Sequence, residues 1–349
     1  VIAPSGFVLL VENRAAFAAV HTNLNAVAGE YSGKLDNAGE RLRLLRPEGA
    51  NEVVVDEVIY DRAAPWPAAA AGEGPSLQLI DNRRDRNRVG NWAADTNVLY
   101  TPGAPNSVSR ALPAFPLLWL NELQATNVSG IRDNMNEREP WLELYNAEGG
   151  SLMLTNFYLT DTYTNLVKWR FPAGAFAPGS GFRIVWLDNE TGETAGTNYH
   201  ASFRPSTSTG SVALVYSNAG TIVIVDYMNY LPIPVDRSYG SYPDGHWTNR
   251  MLFLYPTPGG TNNDAGAPVT VRINEWMADN ETFMTDPYGE SDDWIELYNY
   301  GTNAVNLTDF GLTDNLNSPA KWRFPTGTVI QAGGYLLVWA DNGHPTQTN

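Results

Sequence analysis

The stretch that decides the fold is WLELYN at residues 141–146, which returns as WIELYN at residues 294–299. Successive side chains of a β-strand point to opposite faces, so Trp141, Glu143 and a tyrosine share one face here. Two leucines and an asparagine share the other face. This alternation over six residues predicts a β-strand in both places.

Two interpretations of the aromatic residues in this stretch are open. As a structural motif, Trp141 and Trp294 pack inside a β-sandwich, and Glu143 and Glu296 form hydrogen bonds with nearby backbone groups. As a binding motif, the aromatic rings form an exposed platform on which sugar rings stack. We expect the structural arrangement, because a large aromatic side chain is a normal part of a sandwich core.

Both copies of the stretch belong to a longer repeat. An Asn-Glu pair at 121–122 recurs at 274–275, and KWRFP at 168–172 recurs at 321–325, always 153 residues further along. Identity from residue 120 to 189 against the second copy is about 40% without a gap, and self-similarity at a fixed period indicates a repeated structural unit.

A partial repeat accounts for the rest of the chain. The turn TPGAPN at residues 101–106 resembles TPGGTN at residues 257–262, and similarly spaced Gly, Asp and Tyr residues precede each turn. We therefore predict that residues 1–110 are the back half of a unit. Residues 111–265 are then one complete unit, and residues 266–349 are the front half of another, with linkers rich in Pro, Gly and Asn between them.

The local pattern is that of an all-β protein. Short runs of β-branched and aromatic residues alternate with turns containing Gly, Pro and Asn, which predicts a sandwich or a barrel. Residues 211–216 and 221–226 form a predicted hairpin, with Gly220 available for a positive φ in the turn. One helix is predicted at residues 13–20, where Asn13 precedes an alanine-rich segment as its cap.

These motifs, taken in order, resemble the lamin-tail domain in its bacterial form, and the resemblance covers essentially the whole chain. It implies tandem immunoglobulin-like β-sandwiches, one complete unit flanked by two partial units. It supplies no catalytic residues, so we expect a protein that is not an enzyme. In bacteria such domains are typically repeated parts of secreted or surface proteins, which implies an extracellular or cell-surface location.

The composition excludes several classes of function. The 349 residues contain no cysteine, and 22 Lys and Arg stand against 38 Asp and Glu, a net charge of −16. Disulfides, cysteine-ligated metals and thiol nucleophiles are therefore excluded. No apolar run approaches the ~18 residues of a membrane span, and the negative charge opposes nucleic-acid binding. The histidines are scattered, which argues against a zinc site. The sequence has no phosphate loop and no nucleophile elbow, which argues against a small-molecule substrate.

An acidic loop at residues 286–293 is the best candidate for a metal-binding site. Its four carboxylates are Asp286, Glu290, Asp292 and Asp293. Hard oxygen ligands in a turn suit Ca²⁺, although the spacing does not match an EF-hand loop. A solvated acidic loop without an ion is the alternative, and we expect no cofactor apart from Ca²⁺.

The KWRFP motif places cations beside indole rings. Lys168 precedes Trp169 and Lys321 precedes Trp322, so we predict cation–π contacts with a structural role. A nucleic-acid patch would need more positive charge than this unit carries.

The densest basic segment lies at residues 83–88. It could be a solvated loop neutralised by nearby aspartates, or it could dock against an acidic neighbour. The arginines concerned are Arg83, Arg84, Arg86 and Arg88.

Two classes of function remain. One is a non-catalytic structural repeat module in an extracellular fibre, sheath or large surface protein. The other is a glycan- or protein-binding accessory module tethered to an enzyme elsewhere. The first implies copies of itself or adjacent repeats as partners, arranged head-to-tail.

Each predicted partial unit contains the strands that the other is missing: residues 1–110 lack the front strands, and residues 266–349 lack the back strands. Net charge is −2 for residues 1–110, −6 for residues 111–265 and −8 for residues 266–349. We expect either a longer repeat chain or completion of one molecule's back half by another molecule's front half through strand addition. In the second case charge would steer the encounter, and salt would weaken it.

Overall fold

A computed structural model describes residues 2–21, 24–49, 51–264, 269–308, 310–315, 318 and 321–340. The chain divides into two compact units, residues 1–266 and 267–349. β-Strands dominate both units, which confirms the predicted all-β class. Within the described ranges, no helix has the length and apolar character needed to cross a bilayer.

The N-terminal part of the first unit forms three small sheets and a short helix. The helix begins after Asn13, whose side-chain oxygen accepts a hydrogen bond from the Ala16 N–H at 2.9 Å, as predicted for its cap. Strands β1 and β2 pair in parallel, whereas β3–β4 and β5–β6 are antiparallel pairs. The elements are β1 (Leu9–Val11), α1 (Arg14–Val20), β2 (Val27–Glu30), β3 (Arg41–Glu48), β4 (Asn51–Ile59), β5 (Gln78–Leu79) and β6 (Trp92–Ala93), with 3₁₀ turns at Leu24–Ala26, Ala68–Ala70 and Val89–Asn91.

The remainder of the first unit is a two-sheet sandwich. Its strands are β7 (Leu118–Gln124), β8 (Trp141–Asn146), β9 (Leu152–Met153), β10 (Phe157–Thr160), β11 (Trp169–Arg170), β12 (Phe176–Ala177), β13 (Gly181–Trp186), β14 (Tyr199–His200), β15 (Gly210–Asn218), β16 (Thr221–Tyr230), β17 (Ser238–Ser241) and β18 (Arg250–Phe253), with a 3₁₀ turn at Thr191–Glu193. One sheet has the order β14-β13-β8-β7-β17-β18, and the other has the order β11-β10-β15-β16, while β9 and β12 form a separate antiparallel pair. Apolar side chains from both sheets form one buried core, as expected for an immunoglobulin-like sandwich.

The predicted hairpin is β15–β16. Asn218 pairs with Thr221 across a two-residue loop. Ala219 and Gly220 both have positive φ, 48° and 83°, which is the backbone of the tight turn that matches the twist of the flanking strands.

The N-terminal part packs directly on the sandwich. Ile80, Leu112 and Val223 form a small shared apolar cluster. The indole N–H of Trp66 donates to the hydroxyl of Tyr227 at 2.9 Å. Residues 1–110 and the sandwich therefore belong to one compact unit, which the sequence had divided at residue 110.

The second unit repeats the front half of the sandwich. Its strands are β19 (Val271–Met277), β20 (Trp294–Asn299), β21 (Val305–Asn306), β22 (Gly311–Leu312), β23 (Trp322–Arg323), β24 (Val329–Ile330) and β25 (Tyr335–Trp339). The pairings β19-β20-β25, β21-β24 and β22-β23 reproduce β7-β8-β13, β9-β12 and β10-β11 of the first unit. Its core is small and centres on Leu297, Leu307, Phe324 and Ile330.

Candidate functional site

The repeated motifs of the complete sandwich meet in a buried polar network. Glu122 on β7 and Glu143 on β8 are paired residues across the two strands, and both are fully buried. The register shifts between Leu120 and Glu122. This bulge places Asn121 between the two registers, next to both carboxyl groups.

Hydrogen bonds from the back half of the unit satisfy both carboxyl groups. Glu143 accepts from the Asn121 side-chain amide at 3.0 Å and from the Gly259 backbone N–H at 2.6 Å. Glu122 accepts from the hydroxyl and the backbone N–H of Thr257, each at 3.0 Å, and from the Ser238 hydroxyl. The TPGGTN turn is thus bound to the two central strands of the front half.

Asn262 completes this connection at the end of the turn. Its side-chain amide donates to the carbonyl of Asn121 at 3.1 Å and to that of Ser241 at 2.7 Å. The Asp244 carboxylate accepts from the Asn121 side chain at 3.0 Å and from the Asn262 backbone at 2.9 Å. The Asn-Glu, Trp-x-Glu and Thr-Pro-Gly motifs therefore act together to hold the front and back halves of one unit in register.

Burial changes the acidity of the two glutamates. Desolvation raises the pKa of Glu143 to about 8, and the hydrogen bonds from Asn121 and Gly259 only partly oppose it. Desolvation also raises the pKa of Glu122. Because both side chains are enclosed, their altered acidity affects folding stability rather than chemistry on a substrate.

We expect the raised Glu143 pKa to make stability depend on pH. A carboxyl group with a raised folded-state pKa binds more protons when folded, so its contribution falls as pH rises from about 4.5 to about 8. In Glu143→Gln this part of the slope should disappear. The measurement is the difference in unfolding free energy between wild type and variant at several pH values. A difference that stays constant from pH 5 to pH 8 would contradict the assignment.

Trp141 is buried beside this network. Its indole N–H donates to the Gln124 side chain at 2.6 Å. Leu142 and Leu144 point into the apolar core, so the alternation of β8 places Trp141 and Glu143 on the other face of the sheet. This differs from the expected position in the sandwich core, because that face of the sheet is buried as well, in part by the TPGGTN turn at Glu143.

The counterparts of these residues in the second unit have different surroundings among the residues that the structure describes. Trp294 is also buried, but Met277 takes the place of Gln124, and the described residues offer no hydrogen-bond partner to the Trp294 indole N–H. Glu296 is half-buried and accepts from the Asn274 side chain at 2.7 Å. Glu275, the counterpart of the enclosed Glu122, is exposed.

The lysines of the KWRFP motif form ion pairs instead of stacking on the neighbouring indoles. Lys168 lies 2.6 Å from Asp161, and Lys321 lies 2.7 Å from Asp314. The cation–π contact described for Lys168 is with Phe203, at 5.3 Å. The predicted lysine–indole contacts are corrected accordingly, because an aspartate seven residues earlier is within reach of each lysine. Of the two indoles, Trp169 is buried and Trp322 is exposed.

Arg88 is a structural anchor. Its guanidinium donates to the carbonyl oxygens of Val225 at 2.8 Å and Pro116 at 2.9 Å. It also lies 3.4 Å from the centre of the Trp119 ring. The docking role predicted for Arg88 is therefore wrong, because the side chain is buried against the sandwich, where desolvation lowers its pKa to about 10.

The other three arginines have partners within residues 1–112. Arg83 donates to Asp81 at 2.9 Å, and Arg84 donates to the Leu112 carbonyl at 2.9 Å. Arg86 lies 2.5 Å from Asp56. Most of the cluster is thus committed to local contacts, and the Arg83 side chain is the most exposed of the four.

The structure brings together three of the four carboxylates proposed for Ca²⁺. Asp286, Glu290 and Asp292 each place an oxygen within 4.8 Å of the others. Asp286 is buried and accepts from the backbone N–H groups of Tyr288 at 2.8 Å and Glu290 at 2.9 Å. Asp293 is outside this group and accepts from the Asn280 backbone at 3.3 Å.

A second cluster joins Asp133, in the acidic loop at residues 133–139, to two residues that the sequence did not indicate, Glu193 and His200. Asp133, Glu193 and His200 each place one potential metal-ligand atom within 4.8 Å of the other two. The His200 ring nitrogens contact Asp188 at 2.5 Å and Asn134 at 2.8 Å. These residues come from two segments about 55 residues apart, residues 133–134 and 188–200, so no local spacing could have indicated their proximity.

Comparison with known proteins addresses the second unit. The family model for the Lamin Tail Domain matches residues 264–349. No match was found among curated proteins. The topology of β19 to β25 repeats that of the front half of the complete sandwich. The chain therefore contains a lamin-tail-type domain at residues 264–349, with the immunoglobulin-like fold of that family.

Proposed function

We propose that this protein is a non-catalytic structural repeat module of an extracellular fibre, sheath or large surface protein. The observation that supports this most is the buried network of Glu122, Glu143 and Asn262. The most recognisable residues of the repeat are enclosed and bonded to one another and to backbone groups. Their polar groups form the hydrogen bonds that join the two halves of a unit. The extracellular setting is proposed from the resemblance to bacterial lamin-tail domains.

Electron microscopy of the native material tests this proposal. A structural module that joins copies of itself or adjacent repeats head-to-tail should appear as filaments, sheets or beaded strings. Particles of a single small size in native material, together with saturable binding of a polysaccharide, would contradict it.

One observation favours the second candidate, a glycan- or protein-binding accessory module. The rings of Tyr298 and Tyr335 stack with their centres 4.6 Å apart, and Tyr335 is exposed. Exposed aromatic rings are suited to stacking against sugars. Affinity electrophoresis with and without Tyr335→Ala distinguishes the two candidates, because only a glycan-binding module should lose retardation in a polysaccharide gel.

We also propose that the loop around Asp286, Glu290 and Asp292 binds Ca²⁺ weakly. Three convergent carboxylates on a preformed turn fit an oxygen-ligated ion with a dissociation constant of about 10⁻⁴–10⁻³ M. Calorimetry should therefore show binding at millimolar Ca²⁺ that is lost in Asp292→Asn. Asp293→Asn is the matched control, because Asp293 lies outside the cluster and should retain binding. No heat with the wild-type protein would end the proposal.

A further inference from the structure

His200 is a buried histidine at one edge of the complete sandwich. It is the last residue of β14, the outermost strand of the six-stranded sheet, and its side chain is fully buried. The imidazole is stacked near the ring of Trp186, with the ring centres 6.4 Å apart. The His200 backbone N–H donates to the Thr194 hydroxyl at 3.1 Å. Packing and a backbone hydrogen bond therefore fix the position of this imidazole.

Both ring nitrogens of His200 face hydrogen-bond acceptors. Nδ1 lies 2.5 Å from a carboxylate oxygen of Asp188, which is also buried. Nε2 lies 2.8 Å from the side-chain oxygen of Asn134. The Asn134 amide cannot turn round without a loss, because its nitrogen donates to the Glu193 backbone carbonyl at 3.0 Å. A neutral imidazole carries a single N–H. If Asp188 accepts that N–H, the lone pair of Nε2 meets the oxygen of Asn134 with no hydrogen between them.

Two carboxylate oxygens of the same cluster are enclosed. The Oδ2 atom of Asp133 and the Oε2 atom of Glu193 are buried and accept no hydrogen bond from the residues that the structure describes. The other oxygen of Asp133 accepts from the backbone N–H groups of Met135 at 2.9 Å and Glu137 at 2.8 Å, which fixes this carboxylate. A buried acceptor without a donor is costly. A cation among Asp133, Glu193 and Nε2 would satisfy all three groups.

The charges around the cluster favour a cation as well. Desolvation raises the pKa of Glu193, and neighbouring carboxylates, Glu190 foremost, raise it further. The nearby Arg204 already forms an ion pair with Glu139 at 2.6 Å. A positive ion taken from solution would therefore relieve repulsion that this pair leaves in place.

We propose that Asp133, Glu193 and Nε2 of His200 bind a divalent transition-metal ion of the zinc class, with the side-chain oxygen of Asn134 as the fourth ligand. Zinc accepts imidazole nitrogen and carboxylate oxygen in tetrahedral sites. Asp188 is the outer partner that holds the N–H on Nδ1 and leaves Nε2 for the ion. Ligand atoms around a tetrahedral zinc are roughly 3.4 Å apart, so the two carboxylates move inward when the ion binds.

The site differs from the loop proposed for Ca²⁺. Asp286 forms the same turn as Asp133, 153 residues later, with the same two backbone hydrogen bonds to its carboxylate. The position of Asn134 is taken there by Pro287, which has no side-chain ligand. The carboxylates that converge around Asp286 offer oxygen ligands alone. Imidazole favours zinc over calcium, so we expect Zn²⁺ to bind at His200 in preference to the Asp286 loop.

A bound ion would tie two distant segments together. Residues 133–134 precede β8, and residues 188–200 connect β13 to β14. The ion would hold the edge strand β14 in place, so hydrogen exchange in residues 188–200 should slow and the melting temperature should rise with Zn²⁺. This effect is independent of the proposed role as a structural module.

Calorimetric titration of the full chain with Zn²⁺ tests the proposal, in an Asp292→Asn background that disables the other loop. Asp133→Asn and Glu193→Gln keep the shape of each side chain and remove its charge. Each should weaken Zn²⁺ binding about 10-fold or more. Glu137→Gln is the matched control, because Glu137 is exposed on the same loop as Asp133 and carries the same charge. It should leave the affinity nearly unchanged.

Nitrogen-15 NMR of the histidine rings tests the ligand assignment in the wild-type protein. Of the four histidines, His200 should be the one whose Nε2 takes a metal-bound shift with Zn²⁺, while its Nδ1 keeps a proton. A His200 ring that stays protonated on both nitrogens at saturating Zn²⁺, or no heat on titration, overturns the proposal. An equal loss of affinity in Glu137→Gln also overturns it, because the ion would then lie in the neighbouring cluster of Glu137, Glu139 and Glu190.

Discussion

Trp141→Ala is expected to destabilise the complete sandwich by about 3–5 kcal/mol, the usual range for removing a buried aromatic side chain. The indole is fully buried, and its N–H donates to Gln124 at 2.6 Å. The substitution therefore leaves a cavity and an unsatisfied carbonyl on Gln124. Hydrogen exchange of the full chain, followed in peptides from β7 and β8, measures the loss within this unit alone.

Trp294 provides the matched comparison. It occupies the same position in β20, but Met277 replaces the hydrogen-bond acceptor. We expect Trp141→Phe to cost about 1–3 kcal/mol, because the Gln124 carbonyl loses its donor. Trp294→Phe should cost much less. Equal losses in the two units would show that the Gln124 hydrogen bond contributes nothing.

Arg88→Ala is expected to release the N-terminal part from the sandwich. The Arg88 guanidinium satisfies the carbonyls of Pro116 and Val225 and covers the ring of Trp119. Removing it leaves buried acceptors without a donor, at a cost on the order of 3–5 kcal/mol. Limited proteolysis should then cleave the loop at residues 83–92 much faster than in the wild-type protein.

Arg83→Ala is the control for this experiment. Its side chain is largely exposed and pairs with Asp81, and an exposed ion pair contributes only about 0–1 kcal/mol. Cleavage of the 83–92 loop should therefore stay near the wild-type rate. If Arg88→Ala resisted proteolysis as well as Arg83→Ala does, the apolar contacts of Ile80, and not Arg88, would hold the N-terminal part on the sandwich.

The repeat that the sequence predicts extends in the structure to individual hydrogen bonds. The Asn146 side chain donates to the carbonyls of Gly150 and Pro178, and Asn299 does the same 153 residues later with Asn303 and Gln331. In each unit one bond closes a turn of four residues, and the other connects segments 32 residues apart. Both segments are copied in the repeat, so a copied sequence produces a copied structure.

The placement of the charged side chains could not be predicted in this way. Lys168 and Lys321 form ion pairs with aspartates and do not stack on the adjacent indoles. Arg88 is buried, although it belongs to the densest basic segment. The Arg88 side chain depends on carbonyl groups from distant segments, and sequence spacing within residues 83–88 carries no information about them. The aspartate partner of each lysine lies only seven residues earlier, so that ion pair was within reach of a sequence argument that considered charge spacing.

The sequence by itself determined the strand pattern, the repeat and the family resemblance, because alternation and repetition are local properties of the chain. Only the tertiary structure decided which copies of the motifs are enclosed. Glu122 is buried because the Thr257–Asn262 turn closes over it, whereas Glu275 is exposed. Burial depends on which segments meet in space, and this determines whether the same residues form an interior network or an exposed surface.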